Sequence, residues 1–288
     1  MPAKIAIIGR VDFHTHLEKY GASRLKQQQI ETPFGLSNPI HSMIYRKIPF
    51  YVLSRNGEEG YEVSAPYVNA RANIYALKKR GVEKIISISA PGSLKKTIGP
   101  GSVVLPDDVI DHSNATHRSC FEGKGIGVIR MSEPFCPSVR ALLETDIKLN
   151  FKGKVISQGV YACTAGPRLE TRSEIKELVQ IGADLVGMTL SPEVFIAREL
   201  EMCYAALCYP VNYAEGIADR PYSAGVLFEG LASEDEIKTV NLIEEAIPQL
   251  ILNLIPKLEV LTRDCSCKNA LLRYKKRGDL SENFEDWF

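Results

Sequence analysis

No sign of charge prevails in this sequence: 35 lysines and arginines stand against 35 aspartates and glutamates over 288 residues, for a formal net charge of zero. A chain so balanced has no general attraction for a polyanion, which argues against nucleic acid and anionic membrane surfaces as partners. Long apolar runs are lacking as well. None approaches the roughly 18 residues of a membrane span, and the opening MPAKIAIIGR turns polar within ten residues, too soon for a signal peptide. A cytoplasmic location is the expectation. Glycine (21) and proline (16) are spread rather than clustered, and 45% of residues are apolar, which excludes collagen-like, low-complexity and disordered chains.

Cysteine and histidine are scarce. Seven cysteines are too few for a disulfide scaffold at this length, and Cys120, Cys136, Cys163, Cys203 and Cys208 stand in apolar or mixed surroundings where a thiol serves as a small core residue. Cys265 and Cys267 differ, forming a CSC pair in a polar tail; two thiols alone make a poor zinc site. Of five histidines, His14 and His16 stand two positions apart in HTH, but His41, His112 and His117 supply no third ligand at metal-binding spacing. HTH therefore reads as a polar loop, and neither a metal nor another cofactor is expected.

What is present is a rhythm of strands and helices. KIAIIG (4–9) and FYVLSR (50–55) read as strands, and residues 68–80 as a helix stopped by Gly81 before a strand over 84–89. The rhythm returns in SVVLPDDVID, in the amphipathic SVRALLETDI and in VISQGVYACTAG. Thr171 or Ser173 caps a helix ended by Gly182, and ADLVGM is the next strand. EVFIARELEMCYAALCY is read as one long helix before a short strand near 210–213, and a last helix is expected over about 233–254. The fold class is α/β, a single domain with a central mixed, partly parallel sheet flanked by helices. The boundary is placed at 256, leaving 257–288 as a charged C-terminal tail.

Ligands of such a sheet bind at loops following strands. Gly9 lacks the spaced glycines of a dinucleotide loop and the GK[ST] of a P-loop, so it reads as a strand-ending turn. Arg55, at a strand end, offers a guanidinium fork for an oxyanion, with a surface pair to Glu58 or Glu59 as the plainer alternative. The SAPGSL loop (89–94) adds hydroxyls and backbone donors. AGPRLET (165–171) carries Arg168 and Glu170, the latter placed as a first-turn carboxylate. GMTLSPE (187–193) brings the flat Met188 and the donor Thr189, and VNYAEG (211–216) brings Asn212, an amide able both to donate and to accept.

Together these loops resemble the trimeric purine nucleoside phosphorylase and methylthioadenosine phosphorylase family over about residues 4–255. The segments that carry the resemblance are VNARANIYALKKRGVEKIISISAPGSL, EPFCPSVRALL, GVYACTAGPRLETRSEI and GADLVGMTLSPEVFIARELEMCYA. The resemblance implies a nucleoside phosphorylase-like fold, a purine nucleoside and inorganic phosphate as substrates, and a trimer, sometimes doubled to a hexamer. It puts Arg55, Ser89, Ala90 and Thr189 around phosphate, Met188 against the sugar, Leu169 against base or sugar, and Glu170 and Asn212 on the purine as catalytic groups. Members acting on 6-aminopurines look like VTDYD in the base loop; this chain has VNYAE, with Asn212 and Ala214 in place of both aspartates. That pattern implies phosphorolysis of inosine, guanosine or 5′-methylthioinosine. An N-ribosyl hydrolase and a silent purine-binding homologue are the alternatives.

Three positions depart from the family. Gly9, Arg10, Val11 and Asp12 replace GG[ST]G, losing a hydroxyl and adding an acid, with Arg10 as a candidate replacement donor. Arg55, Asn56 and Gly57 replace RHG, and Pro91 removes a backbone N–H. In thermophilic archaeal members a CSC tail braces the C-terminus, so the resemblance implies stabilising disulfides at Cys265 and Cys267.

Overall fold

The computed structural model describes residues 3–58, 61–114, 117–221, 224–227 and 231–288. The chain enters through β1 (Ile5–Gly9) and α1 (Phe13–Lys19). There follow β2 (Ser23–Gln28), a small hairpin of β3 (Glu31–Thr32) and β4 (Gly35–Leu36), β5 (Ile40–Tyr45), β6 (Ile48–Ser54) and α2 (Ala70–Lys79). The middle of the chain supplies β7 (Lys84–Ser89), β8 (Gly92–Ser93), β9 (Val103–Val104), β10 (Asp108–His112), α3 (Pro137–Asn150), β11 (Val155–Ile156) and β12 (Val160–Thr164). The last third holds α4 (Arg172–Gln180), β13 (Leu185–Gly187), α5 (Glu193–Glu199), β14 (Cys203–Cys208), β15 (Asn212–Tyr213), α6 (Glu234–Val260) and α7 (Leu272–Arg277).

Eight strands form one mixed sheet in the order β11-β9-β14-β7-β1-β6-β5-β2. Its centre is parallel: β14, β7, β1 and β6 run together, with Ile7 paired to Val52 on one side and to Ile86 on the other. These strands are buried on both faces, as parallel strands must be when helices cover each side. Alternation decides which layer each side chain joins. Ile5 and Ile7 face α1, α3 and α6 through Leu17, Leu143 and Ile251, whereas Ala6 and Ile8 face α2 and α5 through Ile74 and Ile196. A second sheet, β10-β12-β13-β8-β15, packs Ala162 and Val186 on Ile175 and Leu178 of α4. The sequence reading had a single sheet. The short β8 and β15 carry too few residues to show any period.

Local chemistry sets several boundaries. Thr171 caps α4 through a reciprocal box with Glu174, and Ser233 does the same for α6 with Glu236. The first-turn acid of α4 is thus Glu174, and Glu170 lies outside the helix. Two other expectations need correction. HTH is not a polar loop: His14 and His16 belong to α1, where His14 is buried and stacks on His41 at 3.7 Å. EVFIARELEMCYAALCY is not one helix: α5 ends at Glu199, Glu201 adopts a left-handed φ of 55°, and CYAALC becomes the central β14. A continuous apolar run suits a strand buried on both faces as well as a buried helix, and only the place between β7 and β9 decides.

The C-terminal segment is folded against the body. α6 runs through residue 256 to Val260, and Leu271, Tyr274, Leu280 and Trp287 then pack on Phe121. Among the described residues no helix is long and apolar enough to cross a membrane.

Candidate active site

The parallel strands β1, β6, β7 and β14 end on one side of the sheet, and their following loops open onto a cavity of about 680 Å³. That volume suits a small organic ligand. Arg10 follows β1, Arg55 follows β6, Ser89 and Ala90 close β7, and Asn212 and Ala214 follow β14; all line the cavity. Leu169 and Glu170 reach it from the β12–α4 loop, and Met188 and Thr189 from the β13–α5 loop. Apart from Arg168, every residue singled out from the sequence as a site candidate therefore meets in one space.

One end is a cluster of hydroxyls. Ser89 Oγ lies 2.9 Å from Thr189 Oγ1 and 3.2 Å from Tyr161 Oη, and Tyr161 Oη lies 3.3 Å from Thr189 Oγ1. Burial holds the Tyr161 phenol well above its ordinary pKa, so it stays a neutral donor. Arg55 sits behind this cluster and is less free than the sequence suggests. Its Nε donates to Glu193 Oε1 at 2.6 Å, Nη2 donates to Glu193 Oε2 at 3.2 Å and to Ser87 Oγ at 2.5 Å, and Nη1 donates to the Ile88 carbonyl at 3.2 Å. Of the five guanidinium hydrogens, one on Nη1 has no partner among the described residues. Both side chains are buried, and Tyr204 Oη donates to Glu193 as well. The ion pair is with Glu193, not with Glu58, which instead contacts His41; Glu59 lies outside the described residues.

Two of the three departures take physical form here. Asp12 is exposed at the start of α1 and does not line the cavity, so its charge is directed to solvent. Arg10 does line it, half-exposed and 3.3 Å from Glu244. Asn56 Nδ2 donates to the Val63 carbonyl at 2.9 Å, which ties it to its own loop.

The second region carries a carboxylate and an amide. Thr164 Oγ1 donates to Glu170 Oε1 and so fixes the carboxylate's direction. Asn212 is 4% exposed, yet no group among the described residues hydrogen-bonds its amide. Its polar atoms are not among the fully buried unpartnered ones, so the amide reaches the cavity, where a ligand edge can meet it. Close approach dictates two glycines. A Cβ on Gly187 would fall 2.1 Å from Tyr161 Oη, and one on Gly166, whose φ is +58°, would fall 2.5 Å from Met188 Sδ. Arg168 points away from the cavity, making two hydrogen bonds to Glu174 at 2.7 and 2.8 Å.

The third wall is apolar. Ile237, Val240, Ile247 and Pro248 of α6 line the cavity together with Phe13, Val211 and Tyr209, and His16 and Glu244 add polar groups to this part of it. Burial pushes the His16 imidazole down, favouring its neutral form.

Tyr161, Thr164, Glu193 and the α6 wall were not singled out from the sequence. Ile237, Val240, Glu244 and Ile247 recur at helical spacing, so that wall was readable as one face of α6. Glu193 had no such signal, because its partner Arg55 is 138 residues away.

The chain matches known proteins over most of its length. The phosphorylase superfamily matches residues 4–256. A probable S-methyl-5′-thioinosine phosphorylase of Thermodesulfovibrio yellowstonii is 41% identical over 246 residues, covering 84% of this chain and 88% of its own. The 6-oxopurine nucleoside phosphorylase of Pyrococcus furiosus is 35% identical over 276 residues, covering 93% of this chain and 97% of its own. A methylthioadenosine phosphorylase from an antarctic soil metagenomic library superposes with a TM-score of 0.79 over 94% of this chain and 91% of its own, at 28% identity.

Proposed function

The chain belongs to the phosphorylase superfamily, and from that premise we propose that it cleaves 6-oxopurine nucleosides with inorganic phosphate, 5′-methylthioinosine foremost. The observation that carries the reading is the meeting of Glu170 and Asn212 in one cavity with the apolar Ile237, Val240, Ile247 and Pro248. Relatives named for 6-oxopurine nucleosides and for methylthioinosine support it.

Phosphate lies against Ser89, Thr189, the Ala90 backbone and the remaining Nη1 hydrogen of Arg55, with Arg10 at the rim. One phosphate oxygen attacks C1′ as the bond from C1′ to N9 breaks, and the bonding pair passes to the purine. The sugar carries oxocarbenium character in between. Asn212 donates to N7 and meets O6, and Glu170 accepts from N1–H, so both interactions strengthen as negative charge gathers on the base. The products are the free purine and the sugar 1-phosphate, and the protein supplies no covalent nucleophile. Phosphate is the co-substrate; no step calls for another cofactor.

Two discriminations follow. Adenine presents a lone pair at N1 where Glu170 needs a proton, which disfavours 6-aminopurines by a few kcal/mol, about 10²-fold or more. At the 5′ position an apolar wall favours a methylthio group over a hydroxyl by about 1–3 kcal/mol, roughly 10 to 200-fold. The same reading has the protein act in the cytoplasm as a trimer or hexamer, which sedimentation velocity resolves. The test is kcat/KM for methylthioinosine, inosine, guanosine and methylthioadenosine at saturating phosphate. The expected order puts methylthioinosine first and methylthioadenosine last; methylthioadenosine turning over best would overturn the base-pocket assignment.

A further inference from the structure

The two tail cysteines do not stand alone. The fold brings Cys136, Cys203, Cys265 and Cys267 together so that their four sulfurs all lie within 4.8 Å of one another, with Cys203 Sγ and Cys265 Sγ 3.5 Å apart. All four are buried and unbridged. They come from three distant parts of the chain: Cys136 is the residue before α3, Cys203 opens β14, and the CSC pair follows α6. From this geometry we propose that the four cysteines form a structural zinc site, a closed tetrathiolate that pins the C-terminal segment to the central sheet.

Shape, charge and exclusion of water each support the assignment. Four thiolates about 2.3 Å from a tetrahedral zinc ion lie about 3.8 Å from one another, so the observed cluster needs adjustments of no more than about an ångström. Two disulfides would instead require two pairs to close to about 2.05 Å. A zinc tetrathiolate carries two negative charges, and cations are at hand. Arg263 Nε donates to Cys203 Sγ at 3.5 Å, while Arg198, itself buried, donates to Ser266 Oγ between the two tail cysteines at 3.2 Å. The second terminal nitrogen of Arg198, Nη1, is buried without a partner among the described residues. Cys136 stands at the N-terminus of a 14-residue helix, where the dipole favours a thiolate. Val139, Ile255 and Leu258 belong to the same apolar cluster and keep water away, as in a closed structural site rather than a catalytic one.

Binding involves no redox change: Zn²⁺ displaces the protons that the four thiols still carry, and these pass to solvent. The site is separate from the nucleoside cavity, so its test does not depend on turnover. The full chain, without a histidine tag, is purified under reducing conditions without chelator, and zinc is measured by mass spectrometry. About one zinc per chain is expected. Cobalt exchange should give the intense visible bands and near-ultraviolet charge transfer of a tetrahedral tetrathiolate. Cys265→Ser with Cys267→Ser should lower zinc at least about tenfold, whereas Cys120→Ser should leave it unchanged. Should the double variant not fold, the parent protein suffices: a strong zinc chelator should lower its thermal midpoint while a phosphine reductant should not. The proposal is overturned by metal-free protein, by zinc that survives the double substitution, or by three free thiols in the denatured, unreduced chain in place of all seven. That last result would mean two disulfides within the cluster, and a midpoint lowered by reductant alone would say the same.

Discussion

Replacing Glu193 by alanine probes the pair that sits behind the hydroxyl cluster. Arg55 and Glu193 are 4% and 3% exposed, and the carboxylate accepts two guanidinium hydrogen bonds and one from Tyr204. Glu193→Ala leaves a buried guanidinium without its counter-charge, which costs about 3–5 kcal/mol, and orphans the Tyr204 hydroxyl for about 1 kcal/mol more. A loss of about 4–6 kcal/mol is expected in urea denaturation, read at fixed protomer concentration because assembly contributes to apparent stability. Removing both charges should cost far less: Arg55→Met with Glu193→Leu should recover at least half of the loss, because no buried charge is then left unpaired. Turnover should not recover, since the Nη1 hydrogen offered to phosphate is gone. A Glu193→Ala protein within about 1 kcal/mol of the parent would refute the reasoning, as that is the worth of an exposed pair.

Burial raises the Glu199 carboxyl from 4.5 to about 7, although the Cys120 amide donates to it at 2.7 Å. Between these values the folded chain holds a proton that the unfolded chain has released, so stability falls by up to about 3 kcal/mol as pH rises through this window; Glu199→Gln should flatten that part of the melting curve against pH, and an identical slope would exclude the assignment. Gly166→Ala forces a Cβ against Met188 Sδ at a left-handed φ, and about a tenfold drop in kcat/KM, mostly through KM, is expected; unchanged kinetics would show that Met188 does not set the sugar position. Thr164→Val removes the hydroxyl that aims Glu170 and should cut kcat for inosine about tenfold or more while leaving the melting temperature within a few degrees. Equal losses for purine substrates with and without an N1 proton would contradict the role given to Glu170.

The sequence was most legible where local rules and tertiary demands agree. KIISIS fills β7 end to end, and Thr171 caps α4, because a short apolar run and a Ser/Thr cap with a following glutamate each have one stable solution. CYAALC was misread because burial on both faces erases the period that separates strand from helix. The residues that line the cavity were legible as strand-ending loops, but their partners were not. Arg55 with Glu193, Glu170 with Thr164 and the gathering of four cysteines depend on separations that only the sheet order creates. The CSC pair shows the same limit: two thiols in a tail carry little meaning until the fold brings Cys136 and Cys203 to them.

Phosphorolysis of a 6-oxopurine nucleoside is tested most directly by phosphorus NMR of the purified protein with methylthioinosine and phosphate. Equal amounts of hypoxanthine and a methylthioribose 1-phosphate resonance should appear, with base release at least about 10³-fold slower when phosphate is omitted. Release of hypoxanthine at the same rate without phosphate, and without a sugar phosphate signal, would contradict the account.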